Sequence, residues 1–221
     1  MKYRAVVDRV ALDLTTFMVS LKQMNVLLTQ DEVRRILETL GFESSFLRVI
    51  DDLRWCSDIS VYTPNARVSE APWRSDCSSL IKWAFGRSGI HIPRLTIQQR
   101  EFGQRVDFDH IRAHDLVFMN GARHNYFIND PSDGVGHVGV YTRRDTVIHL
   151  TREGLVEESI SDLFLRRDFR GAVRIISNPL STIVLKIPPT IDVESEDDLT
   201  WLLLRQLPKI VAQKRRAAAS L

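Results

Sequence analysis

The sequence predicts an α+β protein in which helices come first and a meander of short antiparallel strands follows. Two observations carry that expectation. Through residues 3–55 apolar positions recur at three- and four-residue steps, whereas beyond Ile92-Pro93 the apolar runs become short and strand-like. The two patterns are also segregated along the chain and do not alternate, which argues for a layered α+β fold over repeated βαβ units. At 221 residues such a chain can bury roughly 70% of the surface its unfolded form exposes, so a core needs no disulfide staples.

The elements are justified in order. Val6, Val7, Val10, Ala11, Leu14, Phe17, Met18 and Leu21 form the stripe of an amphipathic helix. Thr29 followed by Glu32 is a capping box, and Val33, Ile36, Leu37 and Leu40 keep helical spacing up to Gly41, a suitable residue just past a helix end. Phe46, Leu47, Ile50 and Leu53 predict a third helix. A DNA-binding helix-turn-helix would fit this spacing, but Asp31, Glu32, Glu38 and Glu43 mix with Arg34 and Arg35 on the exposed positions, which favours a small packed bundle. Residues 57–74 are polar and irregular, with Pro64 and Pro72. Leu80, Ile81, Ala84 and Phe85 then mark a short helix that ends near Gly86 and Gly89. Strands are expected at 116–119, 138–142, 146–150, 155–157 and 172–176, with one more at 182–187. Past Pro188-Pro189, Leu199, Leu203, Leu207 and Val211 predict a terminal amphipathic helix kinked at Pro208. It ends in Lys214-Arg215-Arg216, cations that suit the negative end of a helix dipole and leave partner docking through this helix open. The expected division is a helical segment over 1–56, a mixed helix-and-strand domain over 57–178 and a C-terminal extension over 179–221.

Composition narrows the function classes. Thirty basic residues against 28 acidic leave a formal charge of +2, without the cationic excess that phosphate backbones demand, so no nucleic-acid partner is expected. Met1-Lys2-Tyr3-Arg4 begins like a signal peptide, yet Asp8, Arg9 and Asp13 interrupt the apolar stretch that should follow. The expectation is a protein that is cytoplasmic as synthesised, reaching the outside only by nonclassical export, with no transmembrane segment. Cys56 and Cys77 are the only cysteines, too few for a disulfide framework, so each must be core filler, one bridge or chemistry.

Chemistry concentrates around Cys77. In Ser75-Asp76-Cys77-Ser78-Ser79, Asp76 or Ser75 is a good N-cap, which puts Cys77 in a first helical turn where free N–H groups favour a thiolate. A depressed Cys77 pKa is therefore expected, although a buried structural cysteine would look the same in isolation. A thiol nucleophile needs a base and the base an orienting partner. His137 sits on a strand between Gly136 and Gly139, glycines that leave room for a substrate near the backbone, and His149 lies on the next strand. An odd number of residues in the intervening turn would put both histidines on one face, and an even number would separate them. Cys56, after Trp55 at the end of an apolar helix, reads as packing.

Asp76-Cys77-Ser78, Pro93-Arg94 with Gln99 and Gly103, Asp115-Leu116-Val117-Phe118, His137-Val138-Gly139-Val140-Tyr141 and Val147-Ile148-His149 occur in an order that resembles the NlpC-type cysteine peptidases of the papain-like superfamily. The resemblance covers about residues 57–176. It implies a papain-like α+β domain with a nucleophile helix on an antiparallel sheet, Cys77 as nucleophile, His137 as base and His149 as the residue that orients it. Asp76, Ser78, Tyr62 and Gly136 would support the substrate or the oxyanion, Tyr62 standing in for a family tyrosine whose own Tyr-x-Trp-Gly-Gly segment this chain lacks. Ser79 replaces a glycine common after Asp-Cys-Ser, and His114 replaces the glycine of a Gly-Asp-Leu-Val run. The implied activity is thiol peptidase cleavage of peptidoglycan stem peptides between D-glutamate and diaminopimelate or lysine, with no metal or cofactor. Acyl transfer and a silent peptide- or wall-binding module share the scaffold. A metal hydrolase built on His110 and His114, spaced for one helical turn, is the remaining enzyme reading, but Ile111 stands where a catalytic glutamate would be needed. The polar loop over 120–136, with His124, Tyr126 and Asp130, would help select the substrate.

Overall fold

The computed structural model describes residues 16–20, 28–121, 134–166, 168–177 and 182–219. The predicted loop residues His124, Tyr126 and Asp130 lie outside these, as does the first helix as far as Leu14. Two compact units form, one built mainly from Arg48–Pro179 and the other from Ala11–Leu47 with Leu180–Leu221.

The smaller unit holds a three-stranded antiparallel sheet made of β1 (Thr16–Ser20), β2 (Glu43–Phe46) and β11 (Thr182–Lys186), in the order β1-β11-β2. Helix α1 (Gln30–Thr39) starts on the expected capping box, with Glu32 N–H donating to Thr29 Oγ1 at 3.3 Å and Thr29 N–H to Glu32 Oε2 at 2.9 Å. Gly41 follows it with φ +93°, a left-handed conformation that glycine adopts without a Cβ penalty. Val33, Ile36 and Leu37 from α1 pack with Val19, Ile183, Leu185 and with Leu199 and Leu203 of α6 (Glu196–Ala219) in one core. Two sequence expectations fail here. Residues 16–20 form a strand where a helix was expected, and Phe46 ends β2 instead of opening the third helix. In both places pairing with β11 overrides local spacing, because β-structure is set by neighbours far along the chain. With a strand in this segment, a helix-turn-helix is not formed.

The larger unit is organised on a six-stranded antiparallel sheet. Its strands are β5 (Gln104–Val106), β6 (Leu116–Asn120), β7 (Val135–Tyr141), β8 (Thr146–Thr151), β9 (Gly154–Ser159) and β10 (Phe169–Arg174), in the order β5-β10-β6-β7-β8-β9. A strand stands at each predicted place in this unit, but the strand expected at 138–142 is Val135–Tyr141, the one expected at 172–176 is Phe169–Arg174, and β5 was not expected. Helix α2 (Val49–Trp55) packs on α3 (Cys77–Arg87), and α3 packs on β7 and β8. The helix layer on one antiparallel sheet is the expected α+β arrangement. Two short strands, β3 (Val61–Tyr62) and β4 (Arg74–Ser75), run parallel just before α3, while α4 (Thr96–Phe102) and α5 (Ile160–Leu165) complete the unit. Buried Leu80, Ile81 and Phe85 of α3 are accompanied in the core by Phe118, Ile148 and Leu150 from the sheet.

The two units divide the chain at 47/48 and 179/180, beside the expected boundaries at 56 and 178. α2 lies in the larger unit, where it packs on α3, and within the smaller unit β11 pairs with both β1 and β2. Among the described residues no helix is long and apolar enough to cross a membrane.

Candidate active site

The site is assembled from the start of α3 and from the hairpin β7–β8. Asp76 is the N-cap of α3: its Oδ1 accepts from Ser79 N–H at 2.8 Å, and Asp76 N–H donates to Ser79 Oγ at 2.9 Å. The serine that replaces glycine at 79 is thus part of a capping box. Asp76 Oδ2 also pairs with Arg94, whose second guanidinium nitrogen donates to Ser78 Oγ at 2.8 Å. Asp76 and Ser78 are consequently occupied in holding the helix start, a structural task beside the support role expected of them. Gln99 bridges the carbonyls of Ser78 and Pro93 at 3.0 and 2.9 Å, tying the Pro93-Arg94 segment to the same turn. Tyr62 is placed nearby by strand pairing, with Tyr62 opposite Ser75.

Cys77 occupies the first position of α3 and is only 7% exposed. Its Sγ lies 3.9 Å from Thr96 Oγ1, and it also hydrogen-bonds to the backbone at Val138 and Ser78. Burial, reinforced by the Asp76 carboxylate, raises the thiol above its ordinary value despite those three stabilising bonds. This corrects the expected depressed value: burial and the neighbouring Asp76 carboxylate shift the Cys77 thiol upward, toward its neutral form. Cys56 is fully buried and its thiol is pushed up to about 11, first by burial, in keeping with packing. Both cysteines are free.

The histidines meet the parity test. Tyr141 pairs with Val147 and Val140 with Ile148, so the intervening run 142–146 is odd and positions 137 and 149 share one face. His137 Nε2 and His149 Nδ1 are 2.8 Å apart, with the rings edge to face. Gly139 makes this approach possible in a way the sequence did not indicate. A Cβ there would come within 2.5 Å of Val147 Cγ1 and 3.0 Å of His149 Cβ, so its space serves strand packing and not a substrate. Gly136 likewise faces backbone, since a Cβ would sit 2.4 Å from Gly121 Cα, which gives it a packing role where substrate support was expected.

A residue that sequence reasoning missed extends the line. Glu158 Oε1 lies 2.8 Å from His149 Nε2, and its Oε2 accepts from Arg166 Nη2 at 2.8 Å. The β8–β9 register sets Glu158 opposite Val147 on the face that carries His149. Alternation in β9, once its turn is counted, would have found it.

Direction along this line follows from its end. A carboxylate only accepts, so His149 donates through Nε2 and its neutral Nδ1 accepts from His137 Nε2–H. His137 Nδ1 is left with the lone pair a general base requires. Burial first, then the neighbouring His149, pushes His137 down to about 4, and burial also lowers His149. Both rings are neutral near pH 7, because burial disfavours the imidazolium. Burial works against the Glu158 charge, but bonds from Arg166 and His149 hold it below the ordinary carboxylate value.

The metal reading lacks its geometry. His110 ends a single 3-10 turn, Phe108–His110, and His114 lies beyond it with φ +75°, so the two are not on one helical turn.

Comparison with known proteins gives a match to the family model of the NlpC/P60 family over residues 67–174. A probable endopeptidase of Haemophilus influenzae is 31% identical over 102 residues, 45% of this chain and 58% of that protein. Murein DD-endopeptidase MepS/Murein LD-carboxypeptidase of Escherichia coli K12 is 28% identical over 104 residues, 46% of this chain and 50% of that protein. Gamma-DL-glutamyl hydrolase of Bacillus subtilis is 30% identical over 95 residues, 42% of this chain and 20% of that protein. The chain thus spans 58% of the first, half of the second and a fifth of the third.

Proposed function

Residues 67–174 belong to the NlpC/P60 family, and from that premise we propose that the chain is a cysteine peptidase that hydrolyses peptidoglycan stem peptides at the bond between D-glutamate and diaminopimelate or lysine. The observation that carries the chemistry is the hydrogen-bonded run His137–His149–Glu158 on the strands that α3, with Cys77 at its first position, packs against. The substrate class follows the relatives' names, and the choice of bond follows the motif resemblance in the sequence, with the name Gamma-DL-glutamyl hydrolase supporting a glutamyl bond.

The steps use only groups of this chain and water. Cys77 Sγ attacks the scissile carbonyl carbon while His137 Nδ1 takes the thiol proton, because thiol and imidazole both rest neutral. Negative charge collects on the carbonyl oxygen, where free N–H groups at the start of α3, that of Cys77 included, stabilise it. The imidazolium of His137 is supported through Nε2 by His149 and passes its proton to the leaving amine as the C–N bond breaks. Water, deprotonated by His137, then attacks the thioester, releasing the acid and restoring the thiol.

The test incubates the purified protein with stem-peptide fragments containing D-glutamyl–diaminopimelate and D-glutamyl–lysine bonds and reads the products by mass spectrometry. Release of the diamino acid with gain of one water is expected. Cleavage only elsewhere in the peptide overturns the bond assignment, products carrying an added amine make the protein an acyltransferase, and absence of turnover makes it a silent module.

A further inference from the structure

We infer that Glu158, held by Arg166, is a positioning residue that sets the tautomers of both histidines and so determines which nitrogen of His137 acts as base. The inference rests on the peptidase reading above and deepens it.

The geometry leaves Glu158 little freedom. One carboxylate oxygen faces His149 Nε2 and the other faces the guanidinium, each at 2.8 Å. Arg166 is itself anchored, its Nε donating to Asp168 Oδ2 at 3.2 Å. Neutral imidazoles in a row have two self-consistent proton patterns, Nε2–H throughout or Nδ1–H throughout. Between two neutral rings nothing selects one pattern. An acceptor-only group at the outer end does, since it demands a hydrogen on His149 Nε2, and that hydrogen forces one onto His137 Nε2. Arg166 makes the selection robust, because a donor on the second oxygen keeps the carboxylate from being a protonated, donating acid.

Glu158→Gln inverts this logic while keeping the shape. The amide NH2 cannot face Arg166, where donor would meet donor, so it turns toward His149 Nε2. His149 must then carry its hydrogen on Nδ1, His137 must carry its own on Nδ1, and the base lone pair is lost. A wrong tautomer at the base of a hydrolytic triad can cost on the order of 10⁴ in kcat. One residue further out, a fall of roughly 100-fold in kcat with KM nearly unchanged is expected for Glu158→Gln. Arg166→Ala alone should change kcat only a few-fold. In Glu158→Gln with Arg166→Ala the amide is free to turn, its NH2 toward the half-exposed space that Arg166 vacates, and kcat should recover roughly tenfold over the single Gln variant.

The deciding measurement is nitrogen NMR of the histidine rings in the full chain, without substrate. Wild type should show Nε2–H on His137 and His149, Glu158→Gln should show Nδ1–H on both, and the double variant should return to Nε2–H. Unchanged tautomers in folded Glu158→Gln, or a double variant no more active than the single, overturns the inference. Because the tautomers are read without substrate, they can switch as expected even if wild type leaves stem peptides uncut. That combination overturns the peptidase reading and leaves the positioning role standing.

Discussion

Gly139→Ala should damage both the stability of the β7–β8 hairpin and the His137–His149 contact it carries. The added Cβ would lie 2.5 Å from Val147 Cγ1, 2.8 Å from Ile148 O and 3.0 Å from His149 Cβ. Carbon atoms in good contact are about 3.5–4.0 Å apart, so the closest approach is too short by roughly an ångström. Relief is not available from a flexible side-chain end. Val147 is fully buried, and the other two atoms belong to, or are fixed by, the backbone of β8. The strands must separate locally, which costs about 1–3 kcal/mol by the usual penalty for overpacking. Because the pressure falls on His149, the 2.8 Å bond to His137 lengthens with it, and misplacement on that scale lowers kcat by up to about 100-fold. Urea unfolding of the variant should show a lower midpoint, and its turnover of stem-peptide fragments should fall with KM nearly constant. Gly86→Ala is the control: within α3 a Cβ there meets nothing within 4 Å, so it should stabilise by about 0.5–1 kcal/mol. A Gly139→Ala variant with wild-type midpoint and wild-type kcat refutes the packing argument.

Acid should weaken the larger unit through its histidines. The His137 value is depressed to about 4 on folding, so its contribution is fully present above about pH 6.5 and is lost as pH falls through about 4, a change of roughly 3 kcal/mol. Burial lowers His149 as well and acts in the same sense. The difference in urea stability between wild type and His137→Asn should therefore shrink from pH 7.5 to pH 3.5, and a constant difference contradicts the desolvation account. In the smaller unit, Leu203 is fully buried in the core, and Leu203→Ala should cost it about 2–5 kcal/mol. Hydrogen exchange should then quicken in β1, β2 and β11 while amides of β7 and β8 keep their protection; equal acceleration in both sets means the two units do not unfold separately.

Much of the site was legible because its signals are local. The caps at Thr29 and Asp76 are short-range hydrogen bonds with residue types that advertise them, and the strands of the β6 to β9 meander follow one another in the chain. The histidine pair needed only the parity of a short turn. What escaped depends on partners distant in sequence or on burial. Phe17 and Met18 keep helical spacing but are claimed by β11, and β2 was hidden for the same reason. Helix α4, which brings Thr96 to Cys77, has too few apolar positions to show a period. The Cys77 thiol departs from the expected direction because a helix terminus can be read from sequence, whereas the burial that raises the thiol cannot. Gly136 and Gly139 were rightly singled out, but what fills their space is visible only once the strands are paired.

The claim that Cys77, with His137 as its base, forms an acyl-enzyme is tested most directly by acid-quenching the reaction with a stem-peptide fragment and measuring intact protein mass, followed by peptide mapping. The account predicts an adduct equal to the acyl half of the substrate, on the peptide containing Cys77, that accumulates transiently in wild type and is absent in Cys77→Ala, which should release no product. Turnover that persists in Cys77→Ala, or an adduct mapped to another residue, contradicts it.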